Sequence, residues 1–169
     1  NSDASVSSFS VIDEIIATIS TSEKFSLLDK IYITGHSSGA DFVQHYAISN
    51  DVDQQFSQIN FSYSVANNQY FYYPTTERYN EATGQYVTPT DCSGFNFWPY
   101  GYEFAPDYLA AVSEANVLQN LISRDITYFQ GTEDVETTGT LNTSDCQAVL
   151  LGSNRLERGK NMFRYLNDF

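Results

Sequence analysis

Positive charge is scarce in this sequence: its 169 residues include 8 Lys and Arg against 21 Asp and Glu, for a formal net charge of -13 at pH 7. Phosphate backbones and anionic lipid surfaces repel a chain of this charge. No apolar run approaches the roughly 18 residues needed to span a bilayer. We therefore expect no nucleic-acid partner and no membrane insertion.

Cysteine is nearly absent. The 2 cysteines, Cys92 and Cys146, are far apart in the sequence and stand in no CxxC motif or histidine cluster, so local spacing builds no zinc site. We expect no metal and no other cofactor. Two free buried thiols and a single disulfide both remain open as interpretations.

Proline is rare as well, and all 4 prolines fall within residues 67–106. That stretch is rich in Tyr and Phe but shows no helix or strand periodicity, and irregular stretches this long are uncommon inside compact domains. We interpret it as a lid-like insertion. The remainder shows no repeat and no break in composition, so residues 1–169 are expected to form one domain.

Apolar periodicity predicts alternating helices and strands along the rest of the chain. This alternation predicts an α/β fold, with a mostly parallel sheet and flanking helices. The predicted helices are Val6–Ile19, Ala40–Ser49, Pro106–Ser123 and a last helix that begins at Thr143 or Ser144 and reaches about Asn167. The predicted strands are Lys30–Thr34, Ile59–Val65 and Asp125–Gln130.

One motif carries chemistry. Gly35-His36-Ser37-Ser38-Gly39 lies between a predicted strand and a predicted helix and matches the G-x-S-x-G nucleophile elbow. The sharp turn exposes the Ser37 hydroxyl at the sheet edge, and the helix that follows directs free N–H groups to the same point. We therefore predict Ser37 as a nucleophile and the N–H of Ser38 as an oxyanion donor.

A serine nucleophile needs a base, normally a histidine that a carboxylate orients. Asp134 is the best candidate for the carboxylate because it follows the third predicted strand closely. Weaker candidates are Glu133, Glu136 and Asp145. The alternative is that these residues belong to a solvated acidic loop without a catalytic role.

The base is the difficulty, because the chain has 2 histidines and neither suits the role. His36 precedes the nucleophile and points away from its hydroxyl. His45 lies two helical turns beyond Ser37, about 12 Å along the helix axis. We expect both to be structural.

The order of these parts resembles the α/β-hydrolase superfamily, in which serine, acid and histidine follow one another along the chain. The resemblance covers nearly the whole chain and is most specific at the elbow. Weaker likeness to poorly characterised secreted or envelope hydrolases extends over Val65-Ala66-Asn67-Asn68, Cys92 to Gly101, Tyr128 to Asp134, and Gln147-Ala148 through Gly152, Arg155 and Arg158-Gly159.

The resemblance implies a serine esterase, lipase-like enzyme or related acyl hydrolase that acts on a small or polymeric ester through an acyl-enzyme. It also implies that the histidine and a second oxyanion donor lie outside these residues, so the remainder of the same hydrolase domain is an expected partner. We expect the 169 residues alone to be a poor catalyst and to fold poorly. A binding or structural protein that has lost its base is the alternative.

Three further expectations follow. Aromatic residues of the lid-like segment, Tyr72, Trp98 and Tyr100 among them, are expected to line the substrate cleft, although ordinary packing of the loop is an alternative.

The lid and the last helix should meet at one end of the sheet, which favours a Cys92–Cys146 disulfide. Two observations favour a secreted or cell-envelope location. One is the resemblance to secreted or envelope hydrolases, and the other is a pair of N-glycosylation-type triplets that begin at Asn60 and Asn142.

Overall fold

The computed structural model of the protein describes residues 6–168. The fold is α/β, as predicted, with a parallel three-stranded sheet and flanking helices. The helices are α1 (Ser8–Ser20), α2 (Ser38–Ser49), α3 (Val52–Gln55), α4 (Asp107–Ala110), α5 (Glu114–Ser123), α6 (Cys146–Val149) and α7 (Arg155–Asp168), with a 3-10 turn at Glu23–Phe25. The strands are β1 (Lys30–His36), β2 (Asn60–Ala66), β3 (Arg78–Asn80), β4 (Gln85–Val87) and β5 (Asp125–Phe129).

The main sheet has the strand order β1-β2-β5, and all of its pairs are parallel. The register aligns His36 with Ala66 and Ala66 with Phe129, so the three strands end at the same level. Parallel strands need crossovers, and α2 and α3 supply the first of them. The loops after all three strands therefore meet along one edge of the sheet.

One face of this sheet is covered and the other is open. The side chains of Ile33, Tyr63, Val65 and Tyr128 lie on the covered face, where they pack against the hydrophobic clusters that the helices build. On the opposite face, alternate residues of β1 and β5 are exposed, with Tyr32 at 65%. All-parallel sheets are normally covered on both faces, whereas within residues 6–168 this face of β1 and β5 carries exposed side chains.

The segment 67–106 is packed into the protein rather than laid over it. Phe71, Tyr72 and Tyr73 are each 1% exposed and belong to the larger core cluster. The segment also contains the antiparallel hairpin β3–β4, which the sequence analysis missed, although Asn80 and Gly84 mark its turn. A lid is not confirmed by this arrangement.

A buried guanidinium organises the segment. Arg78 is 2% exposed and donates to the backbone carbonyls of Thr75, Glu77, Phe95 and Tyr100, the nearest at 2.7 Å. Desolvation lowers the pKa of Arg78 to about 10, so the side chain stays charged at neutral pH. It thereby pairs carbonyls that no helix or sheet satisfies.

Arg158 likewise satisfies backbone carbonyls, in and around the loop that precedes α6. It is 1% exposed and donates to the carbonyls of Gln69, Asn142 and Gly152 at 2.7 to 3.1 Å. It therefore ties the loop before α6 to the segment after β2.

Two long predicted helices are broken, which corrects their expected bounds. The helix expected over Pro106–Ser123 divides into α4 and α5 because Ser113 caps α5, its hydroxyl accepting from the N–H of Asn116 at 3.2 Å. The last helix divides into α6 and α7 at Gly152. The φ of this residue is 146°, a backbone conformation that residues with a side chain rarely adopt.

Cys92 and Cys146 form a disulfide with their Cα atoms 5.8 Å apart, which confirms that interpretation over free thiols. It joins the segment 67–106 to the start of α6. Among residues 6–168, no helix has both the length and the apolar character of a membrane span.

Replacing both cysteines by serine should lower the free energy of unfolding by about 4 kcal/mol, because the bond closes a loop of 54 residues. Urea denaturation of the oxidised wild type and of the double variant measures the difference. Titration of the denatured, unreduced wild type with a maleimide provides the control. Two reactive thiols in that titration would contradict the bond.

Candidate functional site

Ser37 occupies a strained turn between β1 and α2. Its φ of 56° and ψ of -122° lie in a region that non-glycine residues rarely adopt. Its backbone N–H donates to the Ala66 carbonyl at 2.9 Å, which continues the ladder one residue past the strand, and its side chain is exposed. The predicted nucleophile is therefore held at the carboxyl edge of the sheet.

The two glycines of the motif have different roles. A Cβ on Gly35 would lie 2.1 Å from the Gly39 carbonyl oxygen, so any side chain there collides with the backbone of α2. A Cβ on Gly39 would meet nothing within 4 Å. Gly35 is thus required for the strand to enter the helix, whereas Gly39 leaves open space beside Ser37.

The start of α2 provides hydrogen-bond donors. The Ser37 carbonyl accepts from the N–H groups of Ala40 and Asp41 at 2.8 and 3.2 Å. Within residues 6–168 no acceptor is found for the N–H of Ser38, and this residue is exposed. Free donors at a helix N-terminus favour a developing negative charge beside Ser37.

Asn67 joins the ends of the three strands, a role that the sequence analysis did not predict. Its Nδ2 lies 3.0 Å from Nε2 of His36, its Oδ1 accepts from the N–H of Gly131 at 2.8 Å, and its own N–H donates to the Phe129 carbonyl. Asn67 has a φ of 50°, which asparagine tolerates better than most residues. The elbow and the loop with the predicted acid are therefore held together.

Asp134 lies in that loop, on the turn that begins at Gly131, and is partly buried. Nη1 of Arg155 donates to its Oδ1 at 3.3 Å, while Nη2 donates to Thr140 at 2.8 Å. The Asp134 carbonyl also accepts from the N–H of Leu156 at 3.1 Å. The start of α7 thus positions the predicted acid, whereas its rivals Glu133 and Glu136 are exposed on the same loop.

His45 is buried on the inner face of α2. Its Nδ1 lies 2.6 Å from the Asp41 carbonyl and its Nε2 lies 2.9 Å from the Pro99 carbonyl. Desolvation lowers the pKa of His45, and the two carbonyls oppose that shift in part. Both ring nitrogens are therefore engaged away from Ser37. His36 is exposed on the open sheet face, where its Nε2 meets Asn67.

The structure brings two of the three predicted substrate-binding aromatics to His45 rather than to an open surface. The ring of Trp98 lies 4.3 Å from that of His45, and Tyr72 packs against both rings. Tyr72 is 1% exposed, so a ligand contacts it only if the core opens. Tyr100, at 9% exposure, packs edge-on against Tyr70.

A cleft of about 610 Å³ lies elsewhere, between the hairpin β3–β4, the disulfide and α6. Glu81, Val87 and Leu150 are among its lining residues, and neither Ser37 nor Asp134 lines it. It is therefore not the space in front of the elbow.

Asp41 is a titratable group that sequence reasoning missed. It is partly buried in the first turn of α2, and its Oδ1 is shielded from solvent without a hydrogen-bond partner in the described residues. Desolvation raises the pKa of Asp41 from 3.8 to about 7, although the N–H of Tyr70 and the charge of Arg155 oppose the shift. The sequence feature that could have identified it is a carboxylate four residues after Ser37, in a helix that is largely buried.

Gly35→Ala should destabilise the fold by about 3 kcal/mol or more, because its methyl group overlaps the Gly39 carbonyl. Gly39→Ala is the matched control, since the same added atom meets no neighbour and alanine favours the helix. Thermal unfolding of both variants tests the pair. Equal melting temperatures would show that the elbow tolerates a side chain at residue 35.

Asp41→Asn should change the pH dependence of stability. Because the pKa of Asp41 is higher in the folded state, the wild type loses stability as pH rises from about 4 to 7. The asparagine variant lacks this loss and should gain about 2 to 4 kcal/mol on the wild type between pH 5 and pH 8. Urea denaturation at both pH values measures the difference, and a constant difference would contradict a proton held by Asp41.

No protein-family model matches the sequence, and no curated protein matches it. Solved structures do match it, among them the two that follow. The poly(3-hydroxybutyrate) depolymerase LpqC from Bordetella parapertussis has a TM-score of 0.59 and 19% identity over 95% of this chain and 44% of its own. Poly(aspartic acid) hydrolase-1 from Sphingomonas sp. KT-1 has the same TM-score and identity over 95% of this chain and 50% of its own. The chain spans about half the length of these two hydrolases and is similar to them in fold.

Proposed function

We propose that this chain carries the nucleophile and the acid of a serine hydrolase that acts on carboxylic esters or related acyl substrates. The observation that carries the proposal is the strained, exposed Ser37 at the carboxyl edge of the sheet, beside free N–H groups of α2. Strain of this kind is concentrated at functional sites. The fold likeness to two polymer hydrolases supports the same reaction class.

In the proposed reaction, Ser37 Oγ attacks the acyl carbon and the carbonyl oxygen becomes an oxyanion, to which the N–H of Ser38 donates. A base takes the hydroxyl proton and passes it to the leaving alkoxide, so that an acyl ester on Ser37 remains. Water, activated by the same base, then releases the acid and restores Ser37. Asp134 orients the base and stabilises its charged form.

The base is a histidine that another part of the hydrolase domain supplies. Both histidines of this chain are engaged away from Ser37, one with Asn67 and the other with two carbonyls. Within the described residues β1 is an edge strand, and its free edge and the exposed sheet face offer a surface for that remainder to pack against. The share of each neighbour that the chain spans supports such a partner.

The proposed substrate is an uncharged ester, small or polymeric. One neighbour is a depolymerase of a neutral polyester and the other a hydrolase of poly(aspartic acid), a polyanion. This chain carries a net charge of -13, which repels polyanions. A neutral polyester therefore suits it better than poly(aspartic acid).

The disulfide supports a secreted or cell-envelope location, because disulfides persist mainly in oxidising compartments.

The second candidate function is a non-catalytic protein that keeps the fold for binding or structure. The engagement of both histidines is the observation that favours it.

The proposal predicts that a fluorophosphonate phosphonylates Ser37 Oγ, with loss of fluoride and of the hydroxyl proton, and that Ser37→Ala abolishes the reaction. Ser38→Ala is the matched control, because it removes a neighbouring exposed hydroxyl and keeps the backbone N–H that acts as the donor. Because the chain lacks an available histidine, labelling is measured with and without added imidazole, which should accelerate it by about 10-fold or more. Intact-protein and peptide mass spectrometry locate the label.

Equal labelling of the wild type and Ser37→Ala would contradict a nucleophilic Ser37. No labelling of Ser37 even with imidazole would favour the non-catalytic function. Hydrolysis of short oligomers of 3-hydroxybutyrate and of aspartate, compared under the same conditions, separates the two substrate classes.

A further inference from the structure

The imidazole of His36 lies beside an amide whose orientation the backbone fixes. The N–H of Gly131 can only donate, and it donates to Oδ1 of Asn67 at 2.8 Å. The other end of the same amide, Nδ2, therefore faces Nε2 of His36 at a distance of 3.0 Å. An amide NH2 group donates and does not accept, so Nε2 of His36 is the acceptor of this hydrogen bond.

This contact determines the protonation of the ring. An imidazole nitrogen accepts a hydrogen bond only when it carries no proton. The bond to Asn67 therefore requires a neutral His36 with its proton on Nδ1. A histidine side chain in water favours the other neutral tautomer, with the proton on Nε2. The tautomer of His36 is thus set by Asn67 rather than by the intrinsic preference of the ring.

Two hydrogen bonds and one turn connect this ring to the predicted acid. His36 is covalently joined to Ser37, and Asn67 links the His36 ring to the N–H of Gly131. The Gly131 carbonyl accepts from the N–H of Asp134 at 3.1 Å, which closes the turn that carries the acid. The separation of Ser37 and Asp134 matters because the proposed base must bond to both at once.

We propose that His36 is a positioning residue for the proposed reaction: as the neutral Nδ1–H tautomer it accepts a hydrogen bond from Asn67 and holds the elbow to the turn of Asp134. This inference rests on the proposed function for its catalytic meaning. The hydrogen bonds that carry it do not depend on whether Ser37 reacts.

Protonation of His36 breaks the connection. Imidazoles take up a proton between about pH 5 and pH 8. The protonated ring presents an N–H at Nε2 to the NH2 group of Asn67, and two donors cannot bond to each other. The elbow is then no longer held to the turn of Asp134. The proposed hydrolase therefore loses activity on acidification, in addition to the loss caused by protonation of its own base.

The elements around His36 carry further titratable groups. The register places Ala66 and Phe129 of the two other strands level with His36, and neither is charged. The charged groups lie at the far ends of the strands, in the first turn of α2 and in the loop after β5: Lys30, Asp125, Asp41, Glu133 and Asp134. Burial raises the pKa of Asp41 to about 7, so it changes charge in the same pH range. The test therefore needs a variant that keeps Asp41 and lacks the imidazole.

The first measurement is nitrogen NMR of the imidazole rings in histidine-labelled protein at alkaline pH, with the His36 signals assigned by their loss in His36→Gln. We expect the Nδ1–H tautomer in the wild type. Asn67→Asp suits the same φ of 50° but presents oxygens to both the Gly131 N–H and the ring, so His36 should change to the Nε2–H tautomer. A wild-type His36 with its proton on Nε2 overturns the proposal, even where a variant fails to fold.

The second measurement is the hydrogen-exchange protection of the Gly131 N–H at pH 5 and at pH 8. The wild type should lose about fivefold in protection at pH 5, the effect of one lost hydrogen bond. In Asn67→Asp protection should instead rise, because the protonated ring donates to the carboxylate. His36→Gln is the matched control: its amide oxygen accepts from Asn67 at both pH values, so protection should stay constant. A loss in His36→Gln equal to that of the wild type would overturn the role of the ring.

The third measurement is the rate at which a fluorophosphonate labels Ser37 in the presence of imidazole, at the same two pH values. The wild-type rate divided by the His36→Gln rate cancels the protonation of the added imidazole and of Asp41. This ratio should fall about fivefold from pH 8 to pH 5. A ratio independent of pH would overturn the positioning role. If Ser37 never reacts while the tautomer and the protection behave as expected, the proposed function is contradicted and the connection through Asn67 stands.

Discussion

The structure depends on two buried guanidiniums that satisfy backbone carbonyls. A long irregular stretch can be buried only if its backbone N–H and carbonyl groups find hydrogen-bond partners. The helices and strands on either side pair their backbone groups among themselves. Arg78 supplies the partners for the segment after β2, and Arg158 does so where that segment meets the loop before α6. Neither forms an ion pair with a carboxylate within the described residues. Carbonyl dipoles therefore stabilise both positive charges, and for Arg78 the ring of Tyr73 does so as well.

This arrangement explains how the functional edge keeps its shape. The three strands end level, but strand ends alone do not fix the loops that follow. Asn67 holds the elbow to the loop of Asp134, and Arg155 holds that loop to α7. The elbow, the loop of Asp134 and the start of α7 are therefore joined by hydrogen bonds.

Much of this could be predicted from the sequence, and the reasons for the failures are physical. The strands, the elbow and α2 follow from local apolar patterns and from a motif whose sterics are local. The division of the last helix at Gly152 depends on a φ of 146° that no periodicity reveals. Arg155 was missed because its role arises from tertiary contacts with Asp134 and Thr140, and Asp41 because its burial arises from tertiary packing. The sequence leaves open whether aromatic rings such as Tyr72 line a cleft or pack in the ordinary way, and the large apolar area of Tyr72 is buried in the core.

The disulfide has a topological consequence. The bond between Cys92 and Cys146 makes a covalent ring of the chain between them, and that ring contains β5 and the loop of Asp134. A protease that cuts the exposed residues 135–140 opens the ring without releasing a fragment, since both pieces remain attached through the sulfur atoms. Asp134, which precedes such a nick, and its partner Arg155, which follows it, therefore stay in one covalent molecule until a reductant breaks the bond.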